Sequence, residues 1–583
     1  MTKNMGQVLL IALLGASAGS LLLAEVPKTA KPLSPQEDLG WNQWRGPTRD
    51  SVAPSQQWSW KWPKEGPKKL WSINIGVGYA SPVVSRGRVF AFGQFNAASS
   101  AAWGKRCMAT LSGEYKDSKG DCVTCLDAET GRILWRTKVS DGVIRGKIGD
   151  VGSTPCTDGK LLFAFAPDAT VAALDVATGR EVWKTDLAKE QNIQVELWHG
   201  ALNSPMLVGN VLVLAQGVGL DKNTGKVLWK NPDGWACPAD GVDDHYHSPV
   251  LCPANDASPG VLLISKTFIR IDPASGRTLC QLDPAPRVGQ WYTDPIVLGD
   301  RIFYLSNSKA TRLKFTATSM TDDSAGLTRG SGAGDTSNPL VWQNYLYATK
   351  VAGDDSGMSG SVNPGQYDSV LQCFDLKDMK PQWIRNGFAG APIVCDGKLI
   401  IQGTWGDVRV VEASPKEFKL LANAKIFDYR GPDPKTPFGA GGWQDASYSM
   451  PALVNGRLYC RFTGGDLICL DVSKDYPDAD TAVETRRIVG EGLIITGKLG
   501  KKPDNAPAYV VGVLTEDASA PGKPAESKGY TLCCQRSGKF HNLQAIAAMA
   551  EKGAHVKVAG TLLYDDRIAV NLMEETSESG KTK

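Results

Sequence analysis

The residues able to do chemistry gather just ahead of short apolar runs that open with proline. Tyr79, Asn203, His247, Asp294 and Asn338 stand one to three positions before Pro82, Pro205, Pro249, Pro295 and Pro339. His199, Trp291, Trp443 and Asp445 lie in the stretches feeding such runs. Aromatic walls with a few convergent polar groups are the makings of a ligand site. His245-Tyr246-His247 could set two imidazoles on one strand face, with oxygens from Asp243 and Asp244 and a third nitrogen from His199. That is the side-chain chemistry of a transition-metal centre. The bland reading has Ser, Thr and Asn capping strand ends, Trp packing between sheets and a His bonded to a carbonyl. A lone His-x-His is common, and no metal is expected.

Positioning these residues requires a repeat, and the chain has one. A Pro, an apolar run, a Gly or Asn turn and a second apolar run recur at Pro82, Pro155, Pro205, Pro249, Pro295, Pro339, Pro392 and Pro451. Several copies continue into a third strand, a turn and a fourth strand carrying Trp. Asp127-Ala128-Glu129-Thr130-Gly131 with Trp135 and Asp175-Val176-Ala177-Thr178-Gly179 with Trp183 are the clearest. Asp221 to Trp229 is a third copy, and Asp272 to Cys280 a fourth with Cys in the Trp place. The Asp or Thr oxygen holds the turn and Gly takes the positive φ, while the ring packs between neighbouring sheets. The eighth copy stops at Asp471-Val472 without a Trp strand, and the missing strand stands at the front as Lys69-Leu70-Trp71-Ser72-Ile73. Borrowing it removes an exposed sheet edge. The expectation is an all-β fold: an eight-bladed β-propeller of four-stranded blades, the N-terminal strand closing the last blade. In such a ring the residues before each innermost strand converge on a central funnel.

Asp-x-x-Thr-Gly-x-x-x-Trp following Ser-Pro-Val resembles the pyrroloquinoline-quinone-type (PQQ-like) propeller repeat. Trp41-Asn42-Gln43-Trp44-Arg45-Gly46-Pro47-Thr48-Arg49-Asp50 resembles the entry segment of secreted propellers of that superfamily. The resemblance covers about residues 41 to 484 and implies fold rather than function. The superfamily holds quinoprotein alcohol dehydrogenases and also a cofactor-free scaffold of the outer-membrane assembly machine. A quinoprotein would carry a Trp beneath the quinone, a calcium ion held by Glu and Asn, an Asp base, and often a disulfide between adjacent Cys. Here Asp294, Asp335 and Asp445 would be the bases, and Asn203 or Asn338 the calcium ligands. No Glu precedes an inner strand, Glu196 being the nearest, and Cys533-Cys534 follow the ring. No haem-attaching Cys-x-x-Cys-His is present.

Lys3, the apolar run Val8 to Leu14 and the small residues after it read as a signal peptide over 1–24, cleaved after Ala18 or Ala24. An uncleaved anchor is the alternative. A linker follows over 25–40. The net charge of +3, without basic runs, excludes a nucleic-acid footprint. Thirteen Cys is an odd number for an exported protein. Cys107 and Cys122 could close a loop, Cys122-x-x-Cys125 lacks a second pair for a metal, and the strand cysteines read as small buried hydrophobes. After the repeats, strands over Arg487–Gly497, Tyr509–Thr515 and Tyr530–Cys534, a helix near Asn542–Lys552 and a hairpin over His555–Leu572 suggest a small OB-like α+β domain at 485–575. A disordered tail is expected at 576–583. Together these readings describe an exported, periplasmic or extracellular, non-catalytic binding or scaffold protein of the cell envelope. Its partners would be other envelope proteins or a small ligand in the funnel, with no membrane span after signal cleavage and no cofactor. The alternative is a PQQ- and calcium-dependent alcohol or sugar dehydrogenase using the same funnel.

Overall fold

The computed structural model describes residues 40–96, 108–144, 147–148, 151–193, 200–234, 246–252, 260–264, 267–283, 293–305, 310–328, 338–351, 369–386, 390–403, 406–427, 449–479, 492–504, 510–516, 529–534, 543–562 and 567–576. Among these residues the chain is all-β with little helix, and eight four-stranded antiparallel sheets account for the repeats. Sheet 1 runs Val83–Ser85, Arg88–Phe95, Gly120–Asp127 and Ile133–Ser140. Sheets 2 to 7 repeat this plan from inner strands that begin at Cys156, Met206, Val250, Ile296, Leu340 and Gly390. Sheet 8 takes its outer strand from the front of the chain: Lys68–Asn74 pairs antiparallel with Asp466–Asp471. Strand pairs Val83↔Phe90 and Ala452↔Tyr459 show the same hairpin geometry at opposite ends of the repeat array.

The Asp-x-x-Thr-Gly turns and the Trp strands work as one joint. Asp127 Oδ1 accepts from the Thr130 amide and hydroxyl, both at 2.8 Å. Gly131, Gly179, Gly225 and Gly276 all take φ near +70°. Each also seats the indole of the preceding sheet, because a Cβ there would lie 2.4–2.6 Å from Trp71, Trp135, Trp183 and Trp229 respectively. The ring nitrogens then donate onward: Trp71 to Ala128 O (3.2 Å), Trp135 to Val176 O (3.1 Å), Trp183 to Lys222 O (2.9 Å) and Trp229 to Pro273 O (3.1 Å). Glycine is therefore required twice over, by backbone sign and by ring contact. Sheet 4 has Cys280 in place of Trp, and its joint to sheet 5 is made instead by Arg270. That guanidinium donates to Thr316 O (3.4 Å) and Ala317 O (3.3 Å) and stacks 5.4 Å from the Phe315 ring.

Nine described cysteines are free and buried, Cys122 among them. Burial pushes thiols such as Cys122, Cys125 and Cys156 up to about 12, so they behave as small apolar residues. The loop closure expected between Cys107 and Cys122 is absent, since Cys122 is a free thiol; Cys107 itself lies outside the described residues.

After the repeats comes a closed barrel of five strands: Gly492–Gly500, Val510–Glu516, Gly529–Cys534, His555–Leu562 and Arg567–Glu575. The third and fifth strands pair parallel, the first pairs with the fourth, and helix Leu543–Glu551 lies between strands three and four in sequence. Ile495, Leu499, Leu514, Leu532, Val556 and Val570 fill the barrel, with Ile546 and Ala550 of the helix in the same cluster.

Candidate functional site in the central channel

The residue immediately before each inner-strand proline carries a link to the next sheet. The Ser81 amide donates to Thr154 Oγ1 (2.8 Å), Thr154 to Ser204 Oγ (2.9 Å), and Ser204 to Ser248 Oγ (3.0 Å). Ser248 donates to Asp294 Oδ1 (2.6 Å), Asp294 to Asn338 Oδ1 (2.5 Å), and Met450 to Ser81 Oγ (2.9 Å). In sheet 7 the position is Ala391, which has no acceptor, and the link moves to the second strand. Thr349 Oγ1 donates to Gly390 O (2.6 Å), and Gln402 Nε2 donates to Arg461 O. Arg461 completes the circuit from sheet 8 to sheet 1, donating to Ala80 O and Phe92 O (2.6 Å each) and Gly76 O (3.1 Å). Sheets 1 through 8 are thus tied head to tail in a closed ring of buried polar contacts.

The entry segment runs across the inner strands that this ring ties together. Trp41 bridges Val84 of sheet 1, the Thr157 amide of sheet 2 donates to Asn42 O (3.0 Å), and Val52 bridges Val394 of sheet 7. Between these anchors Arg45 Nη2 donates to Pro339 O (2.7 Å) and Arg49 to Pro205 O (3.0 Å) and Ser204 O (3.4 Å). Trp44 Nε1 donates to Asp294 Oδ2 (2.6 Å). Arg45, Arg49 and Ser51 take φ of 60°, 58° and 68°, a conformation that side chains adopt only when contacts elsewhere hold them.

Asp294 is where the ring and this segment meet. Burial raises its carboxyl above the ordinary range, against the opposing pull of Arg45, the Trp44 and Ser248 hydrogen bonds and Arg49. Burial also lowers both arginines, Arg49 to about 10. Both Asp294 oxygens are already engaged by N–H donors. Asn338 Oδ1 holds the Asp294 amide, and Asn203 Oδ1 accepts from Gln216 Nε2 at 3.2 Å. All three side chains thus spend oxygen acceptors on donors of the chain itself.

The other sequence candidates divide into two groups. His247 is buried, its Nε2 3.4 Å from the Tyr304 hydroxyl and its ring edge-on to Tyr304. Tyr79 is half-buried, and its carbonyl accepts from Ser449 Oγ at 2.9 Å. His199, Trp291, Trp443 and Asp445 lie outside the described residues, as do Glu196, Asp243, Asp244, His245 and Asp335. Sequence reading missed Trp44, Arg45 and Arg49 at the inner strands and Arg461 at the seam of sheets 8 and 1. The available signal was a Trp and two Arg set in a Gly-Pro turn that belongs to no repeat.

A further buried carboxylate sits in sheet 1. Asp121 is buried, accepting from Gln94 Nε2 and Ser140 Oγ at 2.8 Å each. Burial raises it from 3.8 to about 7 in spite of those two bonds. The folded chain therefore binds a proton between those pH values that the unfolded chain releases, so stability falls as pH rises through the window. Asp121→Asn is expected to flatten that slope and to gain up to about 4 kcal/mol at neutral pH, read from urea midpoints across pH; an unchanged slope would refute the assignment.

Among the described residues no helix is long and apolar enough to cross a membrane. A family profile described as outer membrane protein assembly factor BamB matches residues 68–233. The BamB of Xanthomonas campestris pv. campestris is 28% identical over 116 residues, covering 18% of this chain and 25% of that protein. The chain thus spans about a quarter of the length of the curated relative it matches. The crystal structure of BamB from Moraxella catarrhalis aligns with 70% of this chain and 99% of its own, at 14% identity and TM-score 0.41. Quinohemoprotein alcohol dehydrogenase from Comamonas testosteroni aligns with 76% of this chain and 82% of its own, at 14% identity and TM-score 0.49.

Proposed function

This chain is a PQQ-like β-propeller repeat protein, and we propose that it serves as a non-catalytic binding and scaffold protein of the cell envelope. It is an exported eight-bladed propeller followed by an OB-like barrel, and its partners are other envelope proteins. The observation that carries this reading is the fate of Asp294. Asp294, the one candidate base of the funnel among the described residues, is committed to Trp44 and Ser248, and Asn338 to the Asp294 backbone. A group that ties two sheets to the entry segment acts as structure. The sequence kinship to an outer membrane assembly factor supports the envelope setting.

Titration of the purified, signal-free chain with pyrroloquinoline quinone and calcium tests the reading, following tryptophan fluorescence and dye-linked alcohol oxidation. No saturable quenching and no turnover are expected at micromolar quinone. Calcium-dependent turnover would replace the scaffold with a dehydrogenase.

A further inference from the structure

Val84, Thr157, Leu207, Leu251, Val297, Val341, Val394 and Leu453 occupy one equivalent position, two residues past the proline of each inner strand. The hairpin registers, such as Leu207↔Leu212 and Val297↔Ile302, turn the backbone N–H and C=O of this position away from the second strand and toward the channel. In sheets 1, 2 and 7 the entry segment uses those groups. The Val84 amide donates to Trp41 O (2.9 Å), Thr157 to Asn42 O (3.0 Å) and Val394 to Ser51 O (2.9 Å). In sheet 8 Leu453 O accepts from Gln56 Nε2 (3.2 Å).

Sheets 3 to 6 differ. Among the described residues none pairs with the Leu207, Leu251, Val297 or Val341 amides. Leu251 is 43% exposed and neighbouring Leu298 37%, while Leu207, Val297 and Val341 are half-buried. The half-buried Trp44 and Pro47 of the entry segment belong to the same channel. Among the described residues, the inner strands of sheets 3 to 6 therefore keep open amide edges beside apolar side chains, next to the Pro205 and Pro339 carbonyls that Arg49 and Arg45 of the entry segment hold. An open edge beside exposed apolar surface is a template for strand addition. Among the described residues, Arg45 and Arg49 are matched by Asp294 and Asp50, so these arginines call for no charged ligand.

We propose that the inner-strand edges of sheets 3 to 6 take up an extended, apolar, uncharged segment of a partner protein, adding it as the entry segment adds to sheets 1 and 7. The proposal rests on the scaffold reading and names the partner's chemistry. Full-length protein carrying p-benzoylphenylalanine in place of Leu251, or separately of Ile384 on the outer strand of sheet 6 (55% exposed), is cross-linked in the cells that make it. The Leu251 variant is expected to give an adduct whose cross-linked peptide is an apolar, extended partner segment. In the purified complex, hydrogen exchange over residues 249–252 and 296–298 is expected to slow by about tenfold or more. Absence of an adduct from Leu251, or unchanged exchange there, overturns the groove. Adducts from Ile384 alone leave the scaffold standing without the groove, whereas quinone-dependent turnover removes the scaffold itself.

Discussion

Asp294→Ala is expected to destabilise the folded chain by about 3–5 kcal/mol, the cost typical of breaking a buried charge cluster by deleting one member. Two donors lose their acceptor, the half-buried Trp44 indole and the buried Ser248 amide. Arg45 and Arg49 lose the carboxylate that acts on both of them. Each orphaned buried donor alone costs roughly 1–3 kcal/mol. Asp294→Asn keeps an acceptor oxygen and is expected to recover much of the loss. Urea unfolding midpoints for the two variants decide the matter. A fully stable alanine variant would mean that Asp294 is not holding the entry segment in place, and would return it to consideration as a functional carboxylate.

Arg461→Met is expected to cost a similar amount, for a different reason. The Arg461 guanidinium is buried and donates to three carbonyls, those of Gly76, Ala80 and Phe92, while its own carbonyl receives Gln402. It stands at the seam where the last sheet meets the first, so its loss leaves three acceptors unsatisfied at the closure of the ring. About 3 kcal/mol or more is expected from the unsatisfied groups. Arg461→Lys retains a charge without the planar fork that reaches several acceptors, and should rescue only partly. Arg86→Met, at an exposed contact with Gly159 O (3.3 Å), should fall within about 0.5 kcal/mol of the parent. Equal effects at the two sites would dismiss the seam as a special element.

Arg461→Met separates stability from function. In the scaffold reading, partner binding at sheets 3 to 6 should follow its folded fraction, because Arg461 stands at the seam of sheets 8 and 1. Asp294→Ala is expected to lose binding beyond its folded fraction, because Asp294 leads into the inner strand of sheet 5 and anchors Trp44.

What was legible in the sequence was whatever repeats. The proline-led hairpins, the Asp-x-x-Thr-Gly turns and the Trp strands recur at similar spacing, and each is set by local rules: φ at proline, positive φ at glycine, side-chain capping by Asp. The borrowed strand Lys68–Asn74 was legible for the same reason, since the eighth copy lacked a part that the front of the chain supplied. The position before each proline was also visible as a set, and its small polar residues do converge.

Their use was not legible. Whether Asp294 faces solvent as a base or is sealed as a joint depends on Trp44, which lies 250 positions away in sequence. Arg45 meets Pro339 over 294 positions and Arg461 meets Ala80 over 381. Non-repeating residues such as these leave no periodic trace, and no local propensity predicts which carbonyl a guanidinium will find. The break at Ala391 shows the division plainly: the repeat predicts a link there, and only the folded ring reveals that Thr349 and Gln402 carry it from the second strand. The sequence by itself determined the strands, their turns and the indole joints, because those obey short-range geometry. The tertiary structure alone decided which polar residues became mortar and which inner-strand edges stayed open, because closing a ring brings together groups that the chain keeps hundreds of residues apart.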